Sequence, residues 1–351
     1  MLIWMTAEIS SRPLGLARIV VGSACVIRSV LAWPILLGLT DSEVVKIPYA
    51  DWLPAPSPPL VALIVATWLL SAVLFTLGWR VPVVGPILFA AIAATLALDQ
   101  QTYDNHVYLM AWLVLLLTVA DAGAGISIRG KDRAVVRWPV LLLMIQLSVV
   151  YAFSAITKFN ELFLSGGTLA AVLRNGVIPF PNSLRILPLL SAVAGVVIFV
   201  ELFIALMIWR PNFRPAAFVL GLGLHASITL LMASTAQLLV FSLEMLALYP
   251  LFLHPDPLSL TGPADPAWRR KIHRLDLLRV VRLEGVGDEL IVNHQGRTTR
   301  GAPAHTRIAE HLVPWLWFAP LLRIPGISHI HRWWHRPGGR RSLPVDEIQV
   351  Q

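Results

Sequence analysis

A few ionisable side chains stand inside long apolar stretches of this sequence, and their chemistry is the starting point. They are Arg28, His106, Lys158, Glu201, His225 and Glu244. An ionisable group at bilayer depth is costly, so it is usually paired or functional. An amine, imidazoles and carboxylates gathered in one apolar pocket can exchange protons with a substrate. We expect Lys158 and His106 to face one pocket, with Asn105 and Tyr108 beside them. Glu201, His225 and Glu244 would lie deeper in it.

Each of these residues also has a purely structural explanation. Arg28 can pair with Glu201 or Glu244 and so hold helices together. Lys158 ends an apolar stretch and can extend its amine to the membrane surface, while His225 can be a hydrogen-bonding residue of helix packing. Histidines without cysteines or clustered carboxylates do not make a metal site, so we expect no metal. The residues alone leave both explanations open.

The composition identifies the environment of these side chains. The chain has 351 residues, of which 56% are hydrophobic and 14% charged, and its mean hydropathy is +0.70. Soluble domains have about a quarter charged residues, so a soluble globular or disordered protein is excluded. Cys25 is the only cysteine, which excludes a disulfide framework. The net charge of +8 is concentrated in short loops and in the C-terminal tail, and we expect no nucleic-acid partner.

Eight apolar stretches are long enough to cross a membrane, which takes roughly 20 residues. They lie at about 14–39, 60–79, 81–98, 106–123, 138–159, 184–209, 215–233 and 236–253. The second and third are separated by Gly78-Trp79-Arg80, which predicts a tight hairpin. The sequence therefore predicts an all-α fold, a polytopic helical membrane bundle of about eight transmembrane helices, with a small α+β cytoplasmic tail.

Basic residues in the short loops predict the orientation, because Lys and Arg prefer the cytoplasmic side. They occur at Arg12, at Arg80, in the loop 129–137, and at Arg210 and Arg214. The alternate loops at 99–105 and 234–235 contain none. We expect an integral protein of the bacterial inner (plasma) membrane, with membrane lipid as a partner and with the N- and C-termini in the cytoplasm. The segment 160–181 would then be an interfacial or re-entrant element on the outer side.

A change of composition near residue 255 predicts two domains. Residues 1–255 form the membrane domain, and residues 256–351 form a small basic cytoplasmic domain. The elements expected in the second domain are strands within Leu277–Leu283 and Glu289–Asn293, a turn at Gly285-Val286-Gly287, a helix within His305–Leu312 and a basic stretch from His329 to Arg341. The basic stretch is of a kind that lies on anionic lipid.

Several separated segments of the membrane domain share their order and spacing with one known family. The segments are Asn105-His106-Val107-Tyr108-Leu109, Leu117-Thr118-Val119-Ala120-Asp121-Ala122, Tyr151-Ala152-Phe153-Ser154-Ala155-Ile156-Thr157-Lys158-Phe159, Leu224-His225 and Pro250-Leu251-Phe252-Leu253-His254-Pro255. Together they resemble the vitamin K-dependent γ-carboxylase family. The segment 12–19 resembles the opening of bacterial HTTM-domain proteins, the wider group that includes those carboxylases. The resemblance covers about residues 12–255.

The resemblance implies an enzyme and a cofactor. In the family, a lysine at the position of Lys158 deprotonates reduced vitamin K, and a histidine at the position of His106 assists. Oxygen then turns the quinol into a stronger base that removes a proton from a glutamate, and the resulting carbanion captures CO2. For this chain it implies a carboxylase-like lyase that couples oxidation of a menaquinol-like quinol to deprotonation and carboxylation of an unknown protein substrate. The pocket residues expected around the two catalytic residues are Asn105, Tyr108, Glu201, His225, Glu244 and Arg28.

The C-terminal domain has a second, fainter resemblance. Gln295-Gly296-Arg297, Arg300-Gly301-Ala302-Pro303-Ala304 and Leu321-Leu322-Arg323-Ile324-Pro325-Gly326 resemble the C-terminal half of DCC-type thioredoxin-like proteins. The redox CxxC motif of those proteins has no counterpart in these residues. The resemblance therefore implies a structural or docking role for this domain.

An alternative function stays open beside the carboxylase-like one. The family's luminal domain, which grips the protein substrate, has no counterpart in these residues, and Leu162-Phe163-Leu164 stands where the family has a tryptophan. The alternative is a non-catalytic membrane protein that binds a lipid or quinone or scaffolds a partner. A transporter ranks last, because corresponding broken helices in two halves of the chain are not evident.

Overall fold

A computed structural model describes residues 2–128, 132–173, 177–232, 235–253, 257–287, 289–294 and 296–318. The chain divides into two compact units, Met1–Pro255 and Asp256–Gln351. The basic stretch His329–Arg341 and the last segment of the tail motif, Leu321–Gly326, lie outside the described residues.

The first unit is helical. Its helices are α1 (Leu2–Met5), α2 (Arg12–Gly38), α3 (Pro58–Leu77), α4 (Val81–Ala97), α5 (Asn105–Val119), α6 (Arg137–Thr157), α7 (Glu161–Leu164), α8 (Gly167–Val172), α9 (Leu187–Met207), α10 (Arg214–Leu231) and α11 (Thr235–Ala247). Two short strands, β1 (Glu8–Ser10) and β2 (Ala134–Val136), pair in antiparallel fashion. Each of the eight predicted apolar stretches overlaps one of the longer helices.

Five helices of the described chain are long and apolar enough to cross a membrane: α2, α3, α6, α9 and α10. Helices α4 and α5 and the segment 236–252 are apolar but have 17 residues or fewer. The prediction of a helical membrane bundle is thus confirmed in its coarser form. The count of eight spans stays a prediction.

The loops of the bundle gather at two ends, and hydrogen bonds join the loops within each end. At one end, Ile128 N–H donates to the Leu77 carbonyl at 3.1 Å, which ties the segment after α5 to the predicted hairpin between α3 and α4. At the other end, Gln100 N–H donates to the Ile47 carbonyl at 2.9 Å, which ties the loop before α5 to the loop after α2. The first end carries Arg80 in the hairpin and is called the basic end, while the loops of the second end include 99–105.

Arg18 stabilises the basic end from inside. Its side chain is fully buried on α2. Its guanidinium donates to the carbonyl oxygens of Thr76, Ala122, Gly125 and Ile126 at 2.6–3.3 Å. The positive charge also lies beside the last turn of α3, where a helix dipole favours a cation. Gly78 ends α3 with a φ of 75°, and a Cβ there would come within 2.6 Å of Arg18 Nη1, so glycine is required on both counts.

The segment between α6 and α9 folds back onto the bundle. Asn160 caps α7, because its side-chain oxygen accepts from Phe163 N–H at 2.9 Å. Helix α8 lies within the segment 160–181, for which the sequence predicts an interfacial or re-entrant element. The buried apolar side chains that join these helices to α6 and α9 are Ala155, Phe163, Leu169, Leu173, Leu190, Ala194 and Ile198. The two short helices therefore cover one side of the α6–α9 pair.

The second unit is a small α+β structure. Its strands are β3 (Leu258–Gly262), β4 (Val281–Val286), β5 (Ile291–His294) and β6 (Arg297–Arg300), in the sheet order β4-β3-β5-β6. Its helices are α12 (Pro266–Leu275), α13 (Ala302–Ala309) and α14 (Val313–Leu316). Strands β3 and β4 are parallel, so a crossover is required between them, and α12 supplies it. A buried core that includes Leu258, Leu260, Val292, Ala304 and Ile308 joins sheet and helices.

The turn predicted at Gly285-Val286-Gly287 is wrong, since Gly285 and Val286 extend strand β4. The pairing of β3 with β4 has an irregularity between Leu260 and Thr261. A Cβ on Gly285 would come within 2.8 Å of Thr261 Oγ1. The glycine is therefore found where two strands approach each other closely. Glycine within a strand often has this role, and it does not always indicate a turn. Strands β3 and β6 and helix α12 were not foreseen from the sequence.

Candidate functional site

Lys158 follows the last turn of α6, and its amine points to a buried carboxylate. Lys158 Nζ lies 2.9 Å from both Oε1 and Oε2 of Glu201 on α9. It also donates to the backbone carbonyl of Ser154 at 3.1 Å and to the Ser154 hydroxyl. The side chains of Lys158 and Glu201 are 23% and 8% exposed. The amine is therefore held by hydrogen-bond partners inside the protein.

The local sequence explains why these groups meet. Ser154 and Tyr151 precede Lys158 by one and two helical turns, so all three lie on one face of α6. Helices α6 and α9 pack against each other, and Glu201 lies in the middle of α9. The Ser154 hydroxyl also donates to Glu201 Oε1 at 2.8 Å. Serine thus links the lysine and the carboxylate into one hydrogen-bonded group.

This group forms part of the wall of a cavity of about 280 Å³. The polar residues of the wall are Tyr151, Ser154, Lys158, Glu201, His225 and Ser227. The other lining residues are apolar, and they come from helices α6 to α11 and the connections between them. Phe163 and Leu169 of the short helices close one side. The cavity is therefore mainly apolar, with hydrogen-bonding groups at a few defined places, as in small-molecule sites.

A second polar group lies on the same cavity. The Tyr151 hydroxyl is 2.7 Å from His225 Nε2 and 2.8 Å from the Tyr249 hydroxyl. His225 Nδ1 lies 3.2 Å from Ser242 Oγ. Tyr151, His225 and Tyr249 are each buried. A continuous hydrogen-bonded chain therefore leads from the cavity wall into the protein, and both ring nitrogens of the histidine have a partner.

The two groups give the cavity two chemical poles. Lys158 and Glu201 form an acid–base couple that can accept or release one proton. Tyr151 and His225 form a hydrogen-bonding pole that can orient a hydroxyl or carbonyl. An otherwise apolar wall with two such poles suits a mainly apolar ligand that carries hydrogen-bonding groups.

Arg28 belongs to a different part of the bundle. Its Nη2 atom donates to Asp104 Oδ2 at 3.0 Å, and the side chain of Arg28 is 8% exposed. The predicted partners Glu201 and Glu244 are thus wrong for this arginine. Asp104 is the residue that caps α5, and its Oδ1 accepts from His106 N–H at 2.8 Å. A capping carboxylate at a helix start can reach a neighbouring helix, which the apolar pattern of the sequence does not reveal.

His106 lies near the Lys158 cavity but against its wall. Its ring centroid is 4.3 Å from that of Phe241, and Phe241 lines the cavity. The Phe241 ring is also 5.6 Å from the His225 ring. Among the described residues, Lys158 therefore shares its cavity with Glu201 and His225, and His106 contacts it through a phenylalanine. The expected single pocket for Lys158 and His106 is not what the structure shows.

The other expected pocket residues are dispersed. Asn105 is exposed at the start of α5, and Tyr108 is 47% exposed. The Tyr108 ring packs near Tyr103 and Trp112. Glu244 is fully buried, and neither carboxylate oxygen has a hydrogen-bond partner among the described residues. Roles for these three residues in a substrate pocket stay predictions.

Sequence reasoning did not select Tyr151, Ser154, Tyr249 and Asp104 as site residues. The spacing of Tyr151 and Ser154 before Lys158 is a helical signal that could have identified two of them. Tyr249 meets Tyr151 only through the packing of the chain after α11 against α6, and no local pattern announces that contact. Within the described part of the chain, no group of three or more His, Cys, Asp or Glu side chains is arranged to hold a metal.

An apolar helical bundle with an ion pair on the wall of a mainly apolar internal cavity defines a membrane protein with an internal site. The family model of the HTTM domain matches residues 7–256. The chain belongs to the HTTM-domain family, and HTTM is a membrane domain associated with the vitamin K-dependent carboxylase family. No curated protein and no solved structure matches the chain.

Proposed function

We propose that the chain is an integral-membrane enzyme that oxidises a lipid-soluble quinol, with the Lys158 amine as the proton acceptor. The observation that carries this proposal is the position of Lys158 Nζ on an apolar cavity, 2.9 Å from the Glu201 carboxylate. Membership of the HTTM-domain family supports the same class of chemistry.

The cavity fits the head group of such a quinol. Its volume of about 280 Å³ is near the lower end of the range of about 300–1,000 Å³ for ligand pockets. A ring system therefore fits, while an isoprenoid tail would extend into the bilayer. The two polar poles suit the two oxygen atoms of the ring. A bound hydroquinone supplies two ionisable hydroxyl groups and two electrons for the reduction of oxygen.

Glu201 can accept the proton that Lys158 must lose before it can act as a base. An amine accepts a proton only when it is neutral, and a neighbouring carboxylate can take the proton from an ammonium. Transfer of the Nζ proton to the carboxylate 2.9 Å away leaves a neutral amine beside a neutral acid, and the pair has no net charge in either form. The amine can then take the proton of a quinol hydroxyl, and the apolar wall keeps bulk water away from the reacting groups.

Tyr151 and His225 would hold the opposite oxygen of the ring. The Tyr151 hydroxyl is fixed by His225 and Tyr249, so its position costs little to organise when the ligand arrives. Deprotonation of a substrate and its carboxylation are the further steps that the family association suggests for the same site. No feature of the described residues identifies a protein substrate.

The direct test is oxygen consumption by the purified full chain with a reduced menaquinol analogue. Lys158→Met should lower the rate by about 10²–10⁴-fold, the usual contribution of a general base. Lys271→Met is the matched control, because Lys271 is an exposed lysine of the second unit. The proposal fails if the wild-type chain shows no oxygen-dependent quinol turnover, or if Lys158→Met turns over normally.

A second candidate function is a non-catalytic membrane protein that binds a quinone or lipid or scaffolds a partner. The hydrogen bonds among Lys158, Ser154 and Glu201 favour this function, because such a group can also simply hold helices α6 and α9 together. Fluorescence quenching by an oxidised quinone, measured beside oxygen consumption, separates the two functions. Quinone binding without any turnover would support the second and exclude the first.

We also propose that both termini face the cytoplasm of a bacterial cell and that the membrane is the inner one. The excess of Lys and Arg in alternate loops supports this orientation. Cys25 is buried, so engineered single cysteines can be labelled selectively. Asp51→Cys, in the loop after α2, should react with a membrane-impermeant maleimide on intact spheroplasts. Asn212→Cys, between α9 and α10, should react only after permeabilisation, and the reverse pattern would overturn the orientation.

A further inference from the structure

A second cavity, of about 230 Å³, lies elsewhere in the membrane unit. Its wall includes Arg28 of α2, Trp68 of α3, Asp104 at the start of α5 and Gln237 of α11. Among the described residues, it shares no lining residue with the Lys158 cavity. About half of its lining is polar in character, in contrast to the first cavity.

Two buried hydrogen-bond donors on this wall have no partner in the described part of the chain. One is Nη1 of Arg28 and the other is the indole Nε1 of Trp68. Arg28 is 7% exposed and Trp68 is fully buried. Buried donors are nearly always satisfied in native proteins. Two unsatisfied donors on one cavity therefore indicate a ligand with hydrogen-bond acceptors.

The charges around the cavity restrict the kind of acceptor. Arg28 already pairs with Asp104, and Glu244 lies within electrostatic range of both. The charged groups around the cavity therefore carry no net positive charge, whether Glu244 is ionised or neutral. A simple anion gains little there. A ligand with both a negative and a positive end matches the donors and the carboxylate together.

The position of the cavity restricts the source of the ligand. Tyr103 and Ile35 on its rim are exposed. Tyr103, Tyr108 and Trp112 form a row of aromatic contacts beside it, and such rings are typical of the membrane–water interface. The rim therefore lies where lipid headgroups are found.

We propose that this cavity binds the headgroup of a zwitterionic aminophospholipid, phosphatidylethanolamine being the type. The phosphate oxygens accept hydrogen bonds from Arg28 Nη1 and Trp68 Nε1. The ammonium donates to Asp104, whose carboxylate has acceptor capacity beyond its bonds to Arg28 and His106. The site is independent of quinol chemistry at Lys158, so each can fail without the other.

The test uses the full chain in detergent and the shift of its thermal unfolding midpoint on adding lipid. Short-chain phosphatidylethanolamine should raise the midpoint of the wild type, because a ligand of the native state stabilises it. Trp68→Phe removes the indole N–H together with the five-membered ring, and it should lose at least half of the shift. Trp33→Phe, at a partly exposed position of α2, is the matched control and should keep the full shift.

Two further ligands identify the headgroup and its source. Short-chain phosphatidylglycerol lacks the amine and should give less than a third of the shift. Soluble glycerophosphoethanolamine should give little, since it lacks the bilayer anchor.

The proposal is overturned if phosphatidylglycerol protects equally well, or if the soluble headgroup protects and the lipid does not. It is also overturned if Trp68→Phe and the wild type shift alike.

Discussion

Lys158 Nζ lies 2.9 Å from both carboxylate oxygens of Glu201, although 43 positions separate the two residues along the chain. The contact joins the end of α6 to the middle of α9. Because Glu201 is largely buried, its charge depends on this one lysine and on the Ser154 hydroxyl. The pair is thus at once an element of the bundle and the acid–base group of the cavity.

Glu201→Gln should destabilise the protein more than the double substitution of Lys158→Met with Glu201→Gln does. It leaves an ammonium on an apolar cavity without its counter-charge, and breaking a buried pair costs up to about 3–5 kcal/mol. The partial exposure of Lys158 makes the expected loss smaller than that upper range. The free energy of unfolding in detergent measures it.

Lys158→Met with Glu201→Gln removes both charges and should recover part of the stability lost in Glu201→Gln alone. A double-mutant cycle should give a coupling energy above about 1 kcal/mol. Additive single effects would show that the two charges do not interact in the folded protein. Quinol oxidation should be lost in all three variants.

Tyr151→Phe should slow quinol oxidation by about tenfold, which corresponds to about 1.4 kcal/mol. The substitution deletes the hydroxyl that joins His225 to Tyr249, so the opposite oxygen of the ring loses its support. Steady-state oxygen consumption measures the rate, and KM should rise as well. Tyr49→Phe, on an exposed loop, is the control. Unchanged kinetics in Tyr151→Phe would remove this pole from the proposed site.

The loop after α2 should loosen as the pH falls. Burial opposes ionisation of Asp99, but hydrogen bonds from Gln101 N–H and Ile47 N–H, at 2.9 and 2.6 Å, outweigh it and lower the pKa of Asp99. A lowered pKa gives stability that is complete above the ordinary value of about 3.9. That stability is lost as the pH falls through the lower value of the folded state.

Hydrogen exchange at residues 44–50, followed by mass spectrometry and corrected for intrinsic rates, tests this clamp. Asp99→Asn should exchange at pH 7 as rapidly as the wild type does at a pH below the lowered pKa of Asp99. Asp51→Asn, at an exposed position of the same loop, should behave like the wild type. Equal protection in Asp99→Asn and the wild type at pH 7 would contradict the role of Asp99.

Arg18→Lys should lower the free energy of unfolding by about 3 kcal/mol, since hydrogen bonds to charged groups contribute about 1.5–3 kcal/mol each. A lysine has three donors on one atom and cannot reproduce the fork that reaches four carbonyl oxygens. Arg210→Lys, at an exposed position between α9 and α10, is the control. Equal unfolding midpoints for the two variants would show that the buried fork contributes little.

The helices were predictable because each is an apolar run ended by a recognisable signal. Gly78 ends α3 and prolines begin the same helix, so the predicted segment and the helix differ by about two residues. Helix length was less predictable. Helix α5 ends at Val119 and the left-handed Asp121 follows it, whereas apolar composition alone extends the predicted segment to residue 123.

The partners of the charged residues could not be predicted, because they depend on which helices pack together. Arg28 pairs with Asp104 and Lys158 pairs with Glu201, and both contacts join residues far apart in sequence. A pattern within one helix shows which face a residue occupies. It does not show which helix lies against that face, so the choice among carboxylates stayed open until the fold was known.

The second unit was predicted least well. Short strands such as β3 and β6 have few residues over which a period of two can be seen. Helix α12 is strongly polar on one side and has little apolar surface, with Ile272 buried. Its place is set by the need to cross over between two parallel strands, which is a property of the sheet and not of the segment.

Helix α11 contributes Gln237 to the polar cavity and Phe241 and Met245 to the apolar one. One rigid body thus borders both sites, and a small shift of its axis changes the shape of each. If occupancy of one cavity alters affinity at the other, thermodynamic linkage requires the same factor in the reverse direction. The lipid composition of the membrane would then act as an effector of the quinol site. Lipid would change the affinity for quinol by the same factor by which quinol changes the affinity for lipid.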